Sequence, residues 1–562
     1  MRWQILSKKG SKNLIQLLLV NRGLQTKKDQ ENFLNPKNPH KLTPRDVGVS
    51  QNEIKKAITR LKRAIKNKER IIVYGDYDTD GICATAIMWE ALHKLGANVM
   101  PFIPKRQEGY GMKVKALDKM AKDGVKLIVT VDQGIVHGEQ VEHCHKIGLE
   151  VIITDHHVPG KKKPKALAVI HTTKMAGAGV AWFFAKHLRG VVENSTPPSE
   201  VARQRPRLLR GENDLDLVTI GTVTDMVPLL GPNRSIVKYG LEEVKKTKRP
   251  GLLALYKLAG IDRRQIGVYE VGFIIGPRLN AAGRLDDPIE SLRLVCTKDK
   301  PRAQDLAVKI NERNSQRQAL TEQTTVHARE LWLKQDGQSK LIFVSDKSYQ
   351  EGIVGLVAAK LMEEFYRPAV VISQQGEWSK ASARSIDGFN IVEAIRLCAD
   401  ILGSHGGHAR AAGFSVETKH LEILRERLIS LADKKLDREK LSPTLKIDAE
   451  IDLDQVNFSL YKEIEKLSPF GMDNPQPVFA TRNVEVIEAK AVGADGRHLK
   501  LRLAAHTSRL TFDAIGFGLG CWFPKLAPGK PINIAFNLAV DEWNGHKRLQ
   551  LRLRDVKLSE NK

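Results

Sequence analysis

The residues of this chain best suited to chemistry stand just beyond short apolar runs. Residues 71–74 (IIVY) are followed by Gly75-Asp76-Tyr77-Asp78-Thr79-Asp80-Gly81, three carboxylates at alternate positions ahead of a helical pattern. Residues 127–131 (LIVTV) are followed by Asp132, residues 151–154 (VIIT) by Asp155-His156-His157, and the largely apolar stretch 215–223 is followed closely by Asp225. One Asp in such a place is usually a helix cap or a turn residue. Four acidic sites of one design, with adjacent histidines, call for another explanation. In an open parallel sheet the residues just past the carboxyl ends of strands converge on one crevice, so four such loops would gather these side chains. Packed together without counterions, the carboxylates would repel and take up protons. Divalent cations remove the conflict. Oxygen and imidazole ligands suit Mn²⁺ or Mg²⁺ better than a thiolate-rich structural zinc site does. Two ions about 3.5–4 Å apart, sharing a bridging carboxylate, would polarise a phosphoryl group, which makes phosphoester hydrolysis the expected reaction. A calcium loop of the EF-hand kind is excluded by the strand-then-helix flanks and the lack of a distal Glu.

The elements that must position these groups follow along the chain. Residues 1–50 form a mixed N-terminal segment with turn signals at Asn35-Pro36, Asn38-Pro39 and Thr43-Pro44. From 51 to 300, short fully apolar runs alternate with helical patterns, which implies a parallel α/β sheet with crossover helices. Residues 194–213, with Pro197, Pro198, Pro206 and several Arg, show no periodicity and read as a surface insertion. Between Pro301 and Gln335 no further Gly or Pro occurs and helix formers dominate; the middle, 311–318, is polar on all sides, as in a helix bridging two domains through solvent. Runs at 341–344 and 369–372 and the Gly-rich stretch 405–413 suggest a second α/β domain over 336–440. Over 441–562, short alternating runs such as 498–503 and 549–553, with turn signals at Asp495-Gly496 and Asn544-Gly545, favour a small all-β barrel or sandwich.

Composition narrows the partners. The chain has 562 residues with 90 Lys+Arg against 65 Asp+Glu, a formal charge of +25, and a pI near 9.7. Such a field attracts polyanions, nucleic acid first among them. There is neither an apolar stretch of membrane-spanning length nor a basic amphipathic helix with an aromatic face, so no membrane partner is expected. The N-terminal run 14–20 (LIQLLLV) lacks a following small-residue cleavage site, and export is not expected. Five scattered cysteines without a CxxC pair fit a reducing cytoplasm and argue against a disulfide framework or a structural zinc site.

The motifs then resemble a known family. GDYDTDG (75–81), VDQG (131–134), TDHH (154–157) and GTVTDMVPL (221–229) resemble, in order, the signature segments of the DHH phosphoesterase superfamily. EGYG (108–111), GPRLNAAGR (276–284), SARSIDGFN (382–390), GGHARAAGF (406–414) and SPFGMDNPQPVF (468–479) narrow the resemblance to the RecJ family of single-strand-specific exonucleases, over nearly the whole chain. The resemblance implies a parallel-sheet DHH catalytic domain, a long connecting helix, a second α/β DHH-associated domain and a C-terminal all-β OB-fold. It implies processive 5′-to-3′ degradation of single-stranded DNA to mononucleotides with Mn²⁺ or Mg²⁺, in recombination and repair, by a monomer working beside a DNA helicase and a single-stranded-DNA-binding protein. Carried over by motif, Asp78, Asp80, Asp132, His156 and Asp225 would be metal ligands, with Asp132 bridging, and Asp76, Asp155 and His157 their partners. Arg106, Arg278, Asn280, Arg284, Ser382, Arg384 and His408 would hold the DNA, a guanidinium being able to clasp a phosphate through two hydrogen bonds. Two segments depart from the family pattern: Tyr349-Gln350-Glu351-Gly352 stands where Trp-His-x-Gly is usual, and Ile170-His171 where Asn-Pro is usual. Two other readings remain, a phosphoesterase of short oligoribonucleotides and a non-catalytic DNA-binding scaffold. The C-terminal β-region argues against the first, and the retained carboxylates argue against the second.

Overall fold

The computed structural model describes residues 1–7, 13–109, 111–195, 214–335, 337–505, 510–543 and 546–559. It divides into two units, one of Met1–Lys37, Pro228–Lys238 and Pro443–Lys562, the other of Asn38–Val227 and Tyr239–Ser442. Within the first unit the chain opens with a short strand, β1 (Arg2–Ile5), and two helices, Leu14–Asn21 and Lys27–Leu34.

The second unit holds the acidic motifs. Its first sheet consists of β2 (Arg70–Tyr74), β3 (Asn98–Phe102), β4 (Val125–Val131), β5 (Glu150–Asp155) and β6 (Ala168–His171), all parallel, in the spatial order β3-β2-β4-β5-β6. Apolar side chains point to both faces of β2, β4 and β5, and helices cover both, which is why these strands read as continuous apolar runs. One face packs on Leu117, Met120, Val141 and Cys144. The chain passes from β2 outward to β3 and then returns to the other side of β2 with β4, so the order reverses between β2 and β4. Open α/β sheets bind ligands beyond the carboxyl ends of their strands at such a reversal. Register puts the relevant ends level, Tyr74 opposite Thr130 and Val131 opposite Thr154.

One expected strand is a helix. Leu215–Thr224 is α-helical and buried from Leu215 to Val223 on every side. An apolar run without a polar face carries no period to separate helix from strand, and here it lies among other helices. The insertion expected at 194–213 falls, from residue 196 onward, outside the described residues.

A 36-residue helix, Lys300–Gln335, about 54 Å long at 1.5 Å per residue, carries the chain onward. Its polar middle is not simply solvated: Asn314 is 1% exposed and accepts from Arg317, and Asn311 accepts from Arg278. Beyond it, β7 (Ile342–Asp346), β8 (Ala369–Gln375), β9 (Trp378–Arg384), β10 (Leu402–His408) and β11 (Ala411–Glu417) form a mixed sheet in the order β10-β11-β9-β8-β7, only β7 and β8 being parallel.

In the first unit β1 pairs in parallel with β12 (Thr444–Ile447), and β13 (Ala449–Glu450) pairs with the start of β14 (Phe479–Val492). The strands β14, β15 (His498–Ala504), β16 (Thr511–Gly516), β17 (Pro531–Trp543) and β18 (His546–Leu558) run in the order β14-β15-β16-β18-β17, and β17 pairs back onto β14, closing an OB-like barrel. Strict alternation, as in β15, sends Leu499, Leu501 and Leu503 into the core and the residues between them outward. Gly496 takes φ 62° in the Asp495-Gly496 turn, while Asn544 and Gly545 lie outside the described residues.

Candidate metal centre

Three strand ends and one helix end deliver the acidic groups. After β2 the chain turns sharply through Gly75 into the helix Thr79–Lys94, and Asp78 caps that helix, its Oδ1 accepting from Gly81 N at 2.9 Å. The turn is held from outside: Thr79 N donates to Asn280 Oδ1 at 2.8 Å, and Thr79 Oγ1 donates to the Gly276 carbonyl at 3.1 Å. Asp132, just past β4, adopts φ 60°, a left-handed backbone costly for a non-glycine residue and one that persists only where its surroundings enforce it. Gln133 Nε2 ties this loop to the Gly75 carbonyl at 2.6 Å.

Asp155 ends β5, fully buried and fully engaged. Its Oδ1 accepts from His156 N at 2.7 Å, His157 N at 3.1 Å and His157 Nδ1 at 2.8 Å, and its Oδ2 accepts from Ile135 N at 2.9 Å. It therefore holds the His157 ring, as a carboxylate holding an imidazole does in metal sites, and fixes the backbone of His156. Asp80 is gripped by the start of the helix Gly177–Ser195, with Gly177 N at 2.6 Å and Ala178 N at 3.0 Å, where backbone N–H groups favour an anion. Asp225 comes in at the end of the helix Leu215–Thr224 rather than at a strand end.

These groups meet. Ligand atoms of Asp76, Asp78 and Asp132, of Asp80, His156 and Asp225, and of Asp132, His156 and His157 lie within 4.8 Å of one another in each set, with Asp132 and His156 each common to two sets. His156 Nε2 lies 3.1 Å from Asp132 Oδ1 and 3.5 Å from Asp225 Oδ2. Yet Asp76 Oδ1, Asp132 Oδ1, His156 Nε2 and Asp225 Oδ2 are buried without a hydrogen-bond partner. Buried polar atoms are normally satisfied, so four orphans within linked ligand sets mark a place for something else.

The electrostatics agree. Burial, with Asp78 beside it, pushes Asp76 up to about 8. Burial and Asp78 likewise raise Asp80 to about 7. Burial and the neighbouring carboxylates raise Asp132 and Asp225 well above the usual range. Burial lowers His156 to about 4, so its ring is neutral at pH 7 and can offer a lone pair. Burial opposes ionisation at the Asp155–His157 pair too, but their mutual bond prevails, lowering Asp155 and raising His157. Without cations, therefore, several of these carboxylates cannot ionise together. Hard divalent ions resolve that conflict, and the donor set fits them.

A polar cleft of about 320 Å³ lies in the same unit, its lining including the cations Lys105, Arg106 and Arg284 and the carboxylates Asp286 and Glu351. Arg106 stacks on Tyr77, its Cζ 4.2 Å from the ring centroid, and donates to the Gly283 carbonyl at 3.1 Å. Arg284 donates to the Gly352 carbonyl at 3.1 Å. Burial and the nearby Arg106, Arg317 and Arg384 lower the Arg284 guanidinium to about 9. Arg384 donates to Ser382 Oγ at 3.1 Å. Register sets Arg384 opposite Ala411 and Ala411 opposite His408, with Ser382, Gly413 and Gly406 on the next row of the same face. That face is thus nearly bare of side chains between Ser382 and the exposed His408. Asn280 holds the Thr79 turn, and Arg278 is engaged with Asn311 Oδ1 at 3.1 Å and the Ile274 carbonyl at 2.9 Å.

Three contributors were given no role in the motif reading, although Gly221 opens the GTVTDMVPL segment. The backbone of Gly177 approaches Asp132 so closely that an added Cβ would lie 2.4 Å from its Oδ1, and a Cβ on Gly221 would lie 2.5 Å from Asp80 Oδ1. The third, Arg317, joins the basic group from the long helix. The small-residue run at 175–179 (MAGAG) was the visible sign of the first. Of the two departures, His171 Nε2 contacts the His157 carbonyl at 2.7 Å, and Tyr349 is buried with its hydroxyl 3.0 Å from His327 Nδ1.

Comparison with known proteins agrees with this anatomy. Family models match for the N-terminal domain of the DHH family over residues 70–220, the DHHA1 domain over 338–436 and the RecJ OB domain over 447–555. The chain is 36% identical over 559 residues to the single-stranded-DNA-specific exonuclease RecJ of Bacillus subtilis, covering 97% of this chain and 68% of that protein. The crystal structure of RecJ from Thermus thermophilus in complex with Mn²⁺ is similar at a TM-score of 0.81 and 30% identity, over 100% of this chain and 80% of that one. The Mg²⁺ complex from the same organism gives 0.76 and 28%, over 100% and 79%. With family models matching all three regions and a relative of 36% identity covered over 68% of its length, the chain belongs to the RecJ family of single-stranded-DNA-specific exonucleases.

Proposed function

We propose that this chain is a divalent-metal-dependent exonuclease that degrades single-stranded DNA from the 5′ end to mononucleotides in recombination and repair. The observation that carries the reading is that four buried, unsatisfied oxygen and nitrogen atoms, from Asp76, Asp132, His156 and Asp225, fall within ligand sets linked through Asp132 and His156. Asp78, Asp80, Asp132, His156 and Asp225 would hold two Mn²⁺ or Mg²⁺ ions, Asp132 being the one carboxylate that belongs to two of the ligand sets, as His156 does among the imidazoles. Bound there, such ions act as Lewis acids on a phosphoryl oxygen. Asp155 fixes the His157 ring and the His156 backbone, and the Gly177 and Ala178 amides fix Asp80, so the site is set before substrate arrives. Asp76, in one set with Asp78 and Asp132, would partner the ligands.

Arg106, Arg284, Ser382, Arg384 and His408, with the backbone around Gly406 and Gly413, grip the phosphates of one strand, while Asn280 acts through the Thr79 turn and Arg278 through the long helix. The barrel supplies further single-strand binding. The same proposal includes the domain limits 1–50, 51–300, 301–335, 336–440 and 441–562, a monomeric state, work beside a helicase and a single-stranded-DNA-binding protein, and a cytoplasmic setting. The last is supported by five cysteines that are all free. No helix among the described residues is long and apolar enough to cross a membrane.

The test is a 5′-labelled single strand, its duplex and a dinucleotide, each incubated with Mn²⁺, Mg²⁺ or EDTA. Metal-dependent loss of the single strand alone is expected. Rapid loss of the duplex, or activity that survives EDTA, would overturn the reading.

A further inference from the structure

Two aromatic side chains lie in the open beside the acidic cluster. Tyr269 is 63% exposed and Phe273 69%, and their rings stack on each other with centroids 5.2 Å apart and planes 24° from parallel. Large aromatics usually bury most of their surface, so a preformed, solvent-facing pair is unusual. Phe273 lies on, and Tyr269 directly precedes, a wide helical turn, Glu270–Ile275, of the π type, a rare geometry found mostly at functional sites.

That turn is fixed to the cluster on two sides. Val271 and Ile275 are fully buried, and Glu270 anchors the entry by accepting from Gly267 N at 2.8 Å. Gly272 packs toward Val223, and Gly276 comes so close to Thr224 that an added Cβ would lie 2.3 Å from its Cγ2. Thr224 directly precedes Asp225. On the other side, the Gly276 carbonyl accepts from Thr79 Oγ1, between Asp78 and Asp80. Met226, next to Asp225, adds an exposed apolar side chain held at φ 56°. The aromatic pair is therefore in rigid register with the segments that carry three of the cluster's carboxylates.

We propose that Tyr269 and Phe273 form a stacking platform for bases of the substrate strand beside the cluster, an inference that rests on the reading of the chain as a nuclease of single strands. Every base offers a π-face whatever its identity, so such a platform binds without sequence preference. In a duplex those faces are already stacked on one another. The platform therefore rewards unpaired DNA only, and it contributes to strand selectivity by chemistry distinct from the arginine-lined cleft. Being uncharged, it adds affinity without adding to the salt dependence that phosphate contacts bring.

The experiment uses the full chain in EDTA and measures equilibrium binding of an oligothymidylate and of the same strand with a pair of abasic sites walked along it. The variants are Tyr269→Leu and Phe273→Leu, singly and together, which keep apolar area but remove the π-faces. Turnover of the unmodified strand by the unsubstituted protein with Mn²⁺ is measured beside them. The double variant should bind the unmodified strand on the order of tenfold more weakly, the effect of losing a stacked base. In the unsubstituted protein one window of abasic positions should weaken binding about as much, and at that window the double variant should lose nothing further. Losses that multiply at every window, or no sensitive window in the unsubstituted protein, would overturn the platform; leucine variants that bind as tightly as the unsubstituted protein would assign the pair to an apolar partner instead. If the strand is cleaved with Mn²⁺ while the coupling is absent, the platform alone fails; if no single strand is cleaved, the reading of function fails whatever the binding shows.

Discussion

Replacing Gly177 by alanine would put a methyl group into the cluster without changing any charge. The new Cβ would lie 2.4 Å from Asp132 Oδ1 and 2.6 Å from both Asp132 Cβ and Cγ. Ordinary contact needs roughly 3.4 Å, so the carboxylate must retreat by about 1 Å, and misplacements of that size cost on the order of 100-fold in rate. Asp132 has little freedom to comply. Its Cβ is rooted in a left-handed backbone at φ 60°, and its amide is held by the Thr154 carbonyl at 3.0 Å. The helix cannot easily give way either, since Gly177 N and Ala178 N are bonded to Asp80. Overpacking of this kind destabilises by about 1–3 kcal/mol. Gly190→Ala on the same helix is the control: its added Cβ meets nothing within 4 Å, and alanine there should stabilise the helix by about 0.5–1 kcal/mol. Mononucleotide release with Mn²⁺, calorimetric titration of Mn²⁺ and thermal unfolding are measured for both. Gly177→Ala should lose about two orders of magnitude in turnover and weaken metal binding, while Gly190→Ala should lose neither. If Gly177→Ala matched the unsubstituted protein in all three, the packing of Asp132 against this helix would not set the geometry of the site.

Two further outcomes follow from the charges. In the metal-free protein Asp76 and Asp80 are raised from ordinary carboxylate values to about 8 and about 7, so the unfolded chain releases their protons first, and stability present at low pH is lost as pH rises toward those values. His156, lowered to about 4, acts in the opposite sense, but only below about pH 6.5, where the unfolded ring begins to gain its proton. Between pH 6.5 and 8 the raised carboxylates and the raised His157 act in the same sense: the unfolding midpoint in EDTA should fall with rising pH, and Mn²⁺ at ~100 times its Kd should restore about 2.7 kcal/mol. A flat or rising midpoint in EDTA would count against the buried cluster. Arg284→Met removes one cation from a group that already lowers its own guanidinium to about 9. Stability should not fall, whereas single-strand affinity should drop and the slope of log K against log salt should shrink by about 1; an unchanged slope would show that Arg284 meets no phosphate.

Much of the centre was readable because its supporting strands are buried on both faces. Runs as short as 71–74 and 127–131 favour an interior strand over a helix by their length, and the polar residues that follow them then stand out. Asp225 was reached for a partly wrong reason: the segment before it is a helix, and a stretch buried on all sides shows neither a two-residue nor a 3.6-residue period. Gly177 and Gly221 could not be assigned from sequence, since their importance lies in what approaches them from other elements. Asn314 illustrates the same limit. Surrounded by polar neighbours it looked solvated, yet the fold buries it at 1% exposure. The barrel was legible, because alternation along β15 and β18 survives wherever one face of a strand meets a core and the other meets water.

Asp132 is the residue on which the metal centre turns: its buried oxygen faces His156, and it belongs to two of the three ligand sets. The deciding measurement is the rate at which Asp132→Asn releases mononucleotides from a 5′-labelled single strand with Mn²⁺, read against its equilibrium affinity for the same strand. Turnover should fall by a factor on the order of 1,000 or more while affinity stays within a few-fold, as expected when a group acts on the reacting phosphate rather than on strand binding. An Asp132→Asn protein that cleaves at an undiminished rate would contradict the metal centre on which the whole reading depends.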